Sequence, residues 1–318
     1  MQTFLIRRFL LIVPTLLGAT LLVFLIMRIV PGDIAYLLVQ GGGEGKVDPA
    51  ALANMRHELG IDRPVAVQYL AWVGNILKGD LGNSMRTGHP IMEEITRRLP
   101  LTAQIALMSV FFGFIGGLPL GIISALKQNS GADYISRLLS IFFLAFPSFW
   151  LGLIVLLVGM KFFDWSPPLG YNVLWEKPVT NLQQLIFPSA IIGSHLMAIV
   201  ARMTRSSMLE VLREDYVRTA RAKGLAEATV ITRHAMRNAM IPVITIVSLQ
   251  VGGLMGGAVV METVFSVPGI GAYLIEAIQF RDYTVTQALV LLFALIFIAI
   301  DLLVDVSYGW FDPRISHV

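Results

Sequence analysis

Six apolar runs, each long enough to cross a lipid bilayer, constrain this chain more than any other feature. They cover residues 9–29, 101–126, 138–163, 182–201, 239–264 and 285–304. A helix rises about 1.5 Å per residue, so roughly 20 apolar residues span a hydrocarbon core of about 30 Å. Inside such a core the backbone must bond to itself, so the expected fold class is an all-α membrane protein with six transmembrane helices. The composition agrees: 56% of the 318 residues are apolar and 14% charged, against about 25% charged in soluble domains. The fourth run carries Gln183, Gln184 and His195 and the sixth Asp301, so these two rest on length and on an even number of crossings. The first follows Arg7 and Arg8 like a signal peptide, yet it is longer and has no small-x-small site behind it, which reads as an uncleaved anchor.

Basic residues near span ends stay in the cytoplasm. Arg7 and Arg8 precede the first span, Lys127 and Arg137 lie between the second and third, and eight Lys or Arg from Arg202 to Arg237 lie between the fourth and fifth. The opposite short loops hold Lys177 and Arg281. Both termini are therefore expected to be cytoplasmic. The expected organisation is an anchor helix over 1–30, a long external segment over 31–100, and a five-helix core over 101–318 that includes a basic cytoplasmic stretch at 213–238. In the external segment Gly60, Pro64, Gly79, Gly82, Gly88 and Pro90 punctuate two amphipathic pieces, 50–59 and 65–77. Val65, Tyr69, Trp72, Val73 and Ile76 share one helical face, suited to the membrane boundary or the span ends, or to a partner surface.

Small residues and prolines, rather than charges, mark the spans. Gly113, Gly116, Gly117, Pro119 and Gly121 sit in the second, and Gly252, Gly253, Gly256 and Gly257 form two overlaid G-x-x-x-G pairs in the fifth. Close helix packing is the expected use, a widened path the alternative. Pro147 is expected to bend the third span. Asp301 and Asp305 on one face of the sixth span, and Glu262 at the outer end of the fifth, are expected to reach water. A span set without a central charge lacks the usual means of binding a coupling cation or relaying protons. His195 is the titratable side chain expected at depth, and the scattered histidines predict no metal site.

The other function classes find little support. Zero cysteines exclude disulfides and thiol chemistry. The pI near 9.2 suits nucleic acid, but the net charge is +3 and topology accounts for the basic residues, so no nucleic-acid partner is expected. QGGGEGKV at 40–47 imitates a phosphate loop, but Gln40 replaces its first Gly and Val47 its Ser or Thr. HELG at His57 lacks the second His of a zinc protease, and no catalytic, cofactor-binding or metal-binding residue is expected.

The stretch 213–238 has helix-forming halves on either side of Gly224. Glu214 and Arg218 are spaced for an i,i+4 pair, and Arg233 and Arg237 stand four apart in the second half. Two short helices meeting at a glycine present a corner outside the bilayer; a positively charged loop retained by topology is the plainer reading. Here the residues resemble a family. DYVRTARAKGL followed by RHAMRNAMIPV looks like the cytoplasmic loop of binding-protein-dependent ABC importer permeases of the dipeptide and oligopeptide (nickel) branch. RIVPGD, LGIDRPVAVQYLAWVGNILKGDLGNS, RRLP, FPSFWLGL, ARMTRSSMLEVL, ETVFSVPGIG and FDPRI extend the likeness in order along nearly the whole chain. The general loop pattern of such permeases, EAA, three residues, then Gly, maps to Arg218, Thr219, Ala220 and Gly224, keeping Ala220 and Gly224; Pro242 lies farther on than in that pattern.

The resemblance implies a type I importer permease fold and a non-catalytic subunit of an ATP-driven peptide importer in the bacterial inner membrane. Its partners would be a second homologous permease, two ATPase subunits that hold the ATP and Mg, and an external solute-binding protein. By the same analogy Ala220, Arg221, Lys223, Gly224, Leu225 and Ala226 form the ATPase-coupling segment. Nickel, glutathione or oligosaccharides are alternative solutes, and a self-sufficient secondary carrier or channel is the alternative of another class.

Overall fold

A chain with apolar runs of this length satisfies its backbone by coiling, and the computed structural model is helical nearly throughout. It describes residues 2–29, 34–40 and 48–311, with side chains described between 10 and 304. The imitation phosphate loop at 41–47, Val30 to Asp33 of RIVPGD, residues 312–315 of FDPRI, His317 and the side chains of Arg7, Arg8 and Asp305 lie outside that range. In order come α1 (Gln2–Ile29), α2 (Ile34–Gln40), α3 (Pro49–Glu58), α4 (Val65–Leu77), α5 (Ile91–Leu126), α6 (Gly131–Ala145) and α7 (Ser148–Phe163). Then follow α8 (Pro178–Val211), α9 (Asp215–Ala222), α10 (Glu227–Thr229), a π-helical turn (Val230–Ala235), α11 (Met236–Val264), α12 (Ile270–Gln279) and α13 (Tyr283–Phe311). An isolated antiparallel bridge, Asn83 with Pro90, is the extended pairing among the described residues.

Five of these helices are long and apolar enough to cross a membrane, or six if α6 and α7 together make one span. That pair is where the sequence understated the geometry. Pro147 forces its predecessor out of the helical region: Phe146 is extended at φ −91°, ψ 132°, and the two helices diverge by 99°. The third run is a broken helix rather than a bent one. It also starts earlier than residue 138, because Ser130 caps α6 and accepts from the backbone N–H of Asp133. α5 runs through Pro100, extending the second span into residues expected to be loop.

The chain divides into two compact units, 1–99 with 270–299, and 100–269 with 300–318. In the first, α4 lies along α1 through its expected stripe. Phe24 meets Tyr69 edge-on at 5.1 Å and stacks on Trp72 at 6.1 Å, while Arg28 Nη2 donates to Gln68 Oε1 at 2.6 Å. Asp282, just before α13, anchors the loop that precedes α5. It accepts from Ser84 Oγ at 2.6 Å and from the backbone N–H groups of Met85, Arg86 and Val285 at 3.2 Å each. Arg86 adds an ion pair to Glu276 at 2.9 Å.

The second unit is built on α8, packed by α5, α6, α7 and α11. The glycines of α5 press onto it: a Cβ at Gly113 would stand 2.7 Å from Leu196, at Gly117 2.7 Å from Val200 Cβ, and at Gly121 2.6 Å from the Ala201 carbonyl oxygen. These glycines therefore serve close packing. The fifth-span glycines divide: Gly257 meets Ile192 at 3.5 Å, while Gly253 and Gly256 face open space within the chain. Glu262 departs from expectation. Its side chain is buried, Thr102 Oγ1 donates to Oε1 at 2.6 Å, and a Cβ on Gly269 would overlap the carboxylate. The chain folds back directly after α11, with Val267 N donating to Glu262 O at 2.8 Å, and this turn closes the side chain off from water. Asp301, by contrast, is exposed within the chain.

Candidate functional site

The corner at Gly224 is a closed structural element. α9 ends in a Schellman cap: Gly224 N donates to Arg221 O at 2.9 Å and Leu225 N to Ala220 O at 3.4 Å. That cap needs a left-handed residue at its centre, and Gly224 supplies φ +77°. Ala226 then turns the chain, at φ −57°, ψ 137°, into α10. Arg221 spans the corner to Glu227 with two bonds, Nη2 to Oε1 at 2.7 Å and Nε to Oε2 at 3.1 Å. Donating to the Glu227 carboxylate holds the Arg221 pKa above its ordinary range. A second tie joins Asn238 Nδ2 to Tyr216 Oη at 2.7 Å. Beneath, Val217, Ala220 and Val230 form a small buried core with Val211 and Leu212.

Of the six expected coupling residues, Ala220 is buried and fixes the corner from inside. Arg221, Lys223, Gly224, Leu225 and Ala226 are exposed, and Leu225, an apolar tip, keeps 41% of its surface. Arg218 pairs with Asp215 at 3.3 Å rather than with Glu214 as the spacing suggested, because Glu214 sits at the N-cap with extended backbone and is not on the helical surface. Arg233 and Arg237 are exposed, but the π-helical turn between Val230 and Ala235 alters the expected angular spacing. π-turns within helices leave little composition signal.

The corner is continuous with the membrane part through α8, which ends at Val211, two residues before Arg213. Near that end Arg205 grips Asp133 at the start of α6 with a fork, Nε to Oδ1 at 2.8 Å and Nη2 to Oδ2 at 2.9 Å. Ser124 Oγ, from the end of α5, donates to the same carboxylate at 2.6 Å and Asn129 N at 3.0 Å. The end of α8 is thus tied to α5 and α6 together. The sequence carried a signal for this latch, the S-x-x-D capping box Ser130 to Asp133, which a start for the third span at 138 passed over.

Farther along α8 a cavity of about 440 Å³ opens at the α6–α7 break, with His195, Gln250 and Gly253 on its wall. His195 is exposed on this wall rather than packed. Near the other end of α8 a net of amides, Gln104, Asn172, Asn181 and Gln184, ties the 164–177 loop down. No group of three or more metal-ligating side chains occurs among the described residues.

The comparisons agree with this architecture. The family described as "Binding-protein-dependent transport system inner membrane component" matches residues 117–317, and "Binding-prot-dependent transport system membrane comp, N-term" matches 1–106. The dipeptide transport system permease protein DppB of Alkalihalophilus pseudofirmus is 41% identical over 100% of both chains. The di/tripeptide transport system permease protein DppB of Pseudomonas aeruginosa is 42% identical over 100% of this chain and 99% of its own. The glutathione transport system permease protein GsiC of Pectobacterium atrosepticum is 41% identical over 100% of both. A chain of the inward-facing MetNI methionine ABC transporter superposes with a TM-score of 0.57 at 17% identity, covering 70% of this chain and 97% of its own, which shows the shared fold. These family matches and full-length likenesses show that the chain belongs to the family of binding-protein-dependent transport system inner membrane components.

Proposed function

We propose that this chain is one of two permease subunits of an ATP-driven importer for di- or oligopeptides. It crosses the bacterial inner membrane six times, counting α6 and α7 as one span, with both termini cytoplasmic. Two ATPase subunits bind at the corner, an external solute-binding protein delivers the peptide, and ATP and Mg belong to the ATPases. The observation that carries the reading is the corner itself. Gly224 caps α9, two side-chain ties join α9 to α10 and to α11, and Leu225 and Lys223 are left outward. Such an elbow transmits a push without absorbing it. The peptide assignment rests on relatives named for dipeptides and di/tripeptides at 41–42% identity.

Glutathione, itself a tripeptide, is a second reading supported by relatives of 39–41% identity over the whole chain. Reconstitution tests both. Proteoliposomes holding this chain, its partner permease, the two ATPases and the binding protein should accumulate dipeptide with ATP, and this chain alone should not move it. Ion-driven flux by the isolated chain contradicts the proposal, and glutathione uptake without dipeptide uptake selects the second reading.

A further inference from the structure

Resting on the importer reading, this inference concerns which surface the solute follows and what it recognises. Two cavities lie along one face of α8. The first, at the α6–α7 break, has Ile192, His195 and Ile199 on its α8 wall; the second, about 320 Å³, has Arg202, Arg205 and Ser206 on the same helix. Residues 192, 195, 199, 202 and 206 recur at spacings of three and four, which places them on one stripe. Leu144 of α6 lines both cavities, so they adjoin along one groove. Each falls in or near the range of roughly 300–1,000 Å³ found for small-molecule sites. Opposite the first cavity Gly253 of α11 meets nothing within 4 Å, so a side chain's volume is left vacant there.

The chemistry changes along the groove. At the α6–α7 break His195, Gln250 and Ser148 bring hydrogen-bonding groups into an otherwise apolar wall. At the elbow end Arg137, Arg202 and Arg205 line the second cavity, and two of them, Arg137 and Arg205, pair with one carboxylate, Asp133. Arg205 spends its fork on that carboxylate, and Arg137 lies 3.6 Å from it with its guanidinium 4.5 Å over the Tyr134 ring. Arg202 is exposed and makes no hydrogen bond or ion pair to any described residue. An unpartnered guanidinium in an excess of positive charge fits the planar fork of a carboxylate. We infer that this groove is the chain's share of the solute path, with Arg202 recognising the C-terminal carboxylate of a short peptide while His195 and Gln250 contact its amides. The same charge disfavours a bare metal cation as the solute.

The absence of native cysteine in the chain permits a direct test. Ser206→Cys and Gly253→Cys are assembled with the partner subunits in phosphatidylcholine nanodiscs without nucleotide, and labelling of this chain by a polar thiol reagent is timed. Both positions should label, and glycylleucine should slow labelling where its C-terminal amide does not. Arg202→Gln should raise the half-protecting concentration about tenfold, the loss of one charge-assisted hydrogen bond. Equal protection by the amide, no protection by either, or no labelling at both positions overturns the inference. So does slowing by added phosphatidylglycerol alone that Arg202→Gln removes, which would make the cavity a lipid-headgroup site. ATP-driven dipeptide uptake by proteoliposomes of the unmodified complex is measured in parallel: uptake without protection refutes the groove alone, and absence of uptake refutes the importer reading.

Discussion

Replacing Arg205 by Gln should be among the most destabilising single changes in the second unit. The Asp133 side chain has 0% of its surface exposed and Arg205 21%, with two contacts of 2.8 and 2.9 Å between them. At an effective dielectric of about 20, charges about 3 Å apart attract by roughly 5–6 kcal/mol, most of it offset by the cost of removing them from water. Removing one partner forfeits the attraction but keeps the cost for the other, and such breaks in buried pairs run to about 3–5 kcal/mol. Ser124 and Asn129 N–H still bond the carboxylate, and Arg137 is 3.6 Å away, which points to the lower end, about 3 kcal/mol. Unfolding in mixed detergent and dodecyl sulfate micelles measures it. Asp133→Asn removes the stranded charge, so the double variant should be more stable than Arg205→Gln alone. A loss for Arg205→Gln below about 0.5 kcal/mol, the level of ordinary surface substitutions, would refute the reasoning, as would strict additivity of the two changes.

Other sites give shorter tests. Gly117→Leu places a Cβ 2.7 Å from Val200 Cβ and 2.8 Å from the Met197 carbonyl oxygen. It should cost at least about 1–3 kcal/mol by overpacking, seen as a lower melting temperature in detergent, while Gly253→Ala should leave that temperature unchanged. Thr102→Val removes the hydroxyl that Glu262 accepts at 2.6 Å and should cost about 1.5–3 kcal/mol in the same micelle assay; Thr102→Ser should restore most of it. Asp282→Ala removes the acceptor of Ser84, Met85 and Arg86, and limited proteolysis should then cut between residues 82 and 90 much faster than in the parent.

Much of the fold was legible because bilayer thickness turns run length into structure: the apolar runs became helices, and 65–77 coincides with α4. Gly224 was legible for a similar reason, since a glycine between two helix-forming segments marks a left-handed cap. What escaped were features set by pairing across the fold. Asp133 reads as one acid near a span end until Arg205, 72 positions away, closes on it. Glu262 reads as solvated until the following turn folds over it. Pro147 announced a bend but not its angle, because 99° depends on Phe146 finding an extended conformation that its aromatic neighbours accept, with Trp150 stacked 4.8 Å away. The groove along α8 was hidden because its members come from several helices and look like ordinary apolar residues, one His and a loop arginine.

The central claim, that force from the ATPases enters at the elbow, is tested most directly by uptake per ATP hydrolysed in the reconstituted complex carrying Gly224→Val. A Cβ at 224 meets nothing within 4 Å, so the substitution acts through backbone strain alone. A left-handed conformation costs a non-glycine residue about 1–2 kcal/mol, enough to open the cap without preventing insertion. Hydrolysis should continue while dipeptide moved per ATP falls about tenfold, in line with about 1.4 kcal/mol of lost coupling. Gly224→Asn, which tolerates that conformation, should recover most of it. Gly224→Val moving dipeptide at the parent ratio would contradict the account.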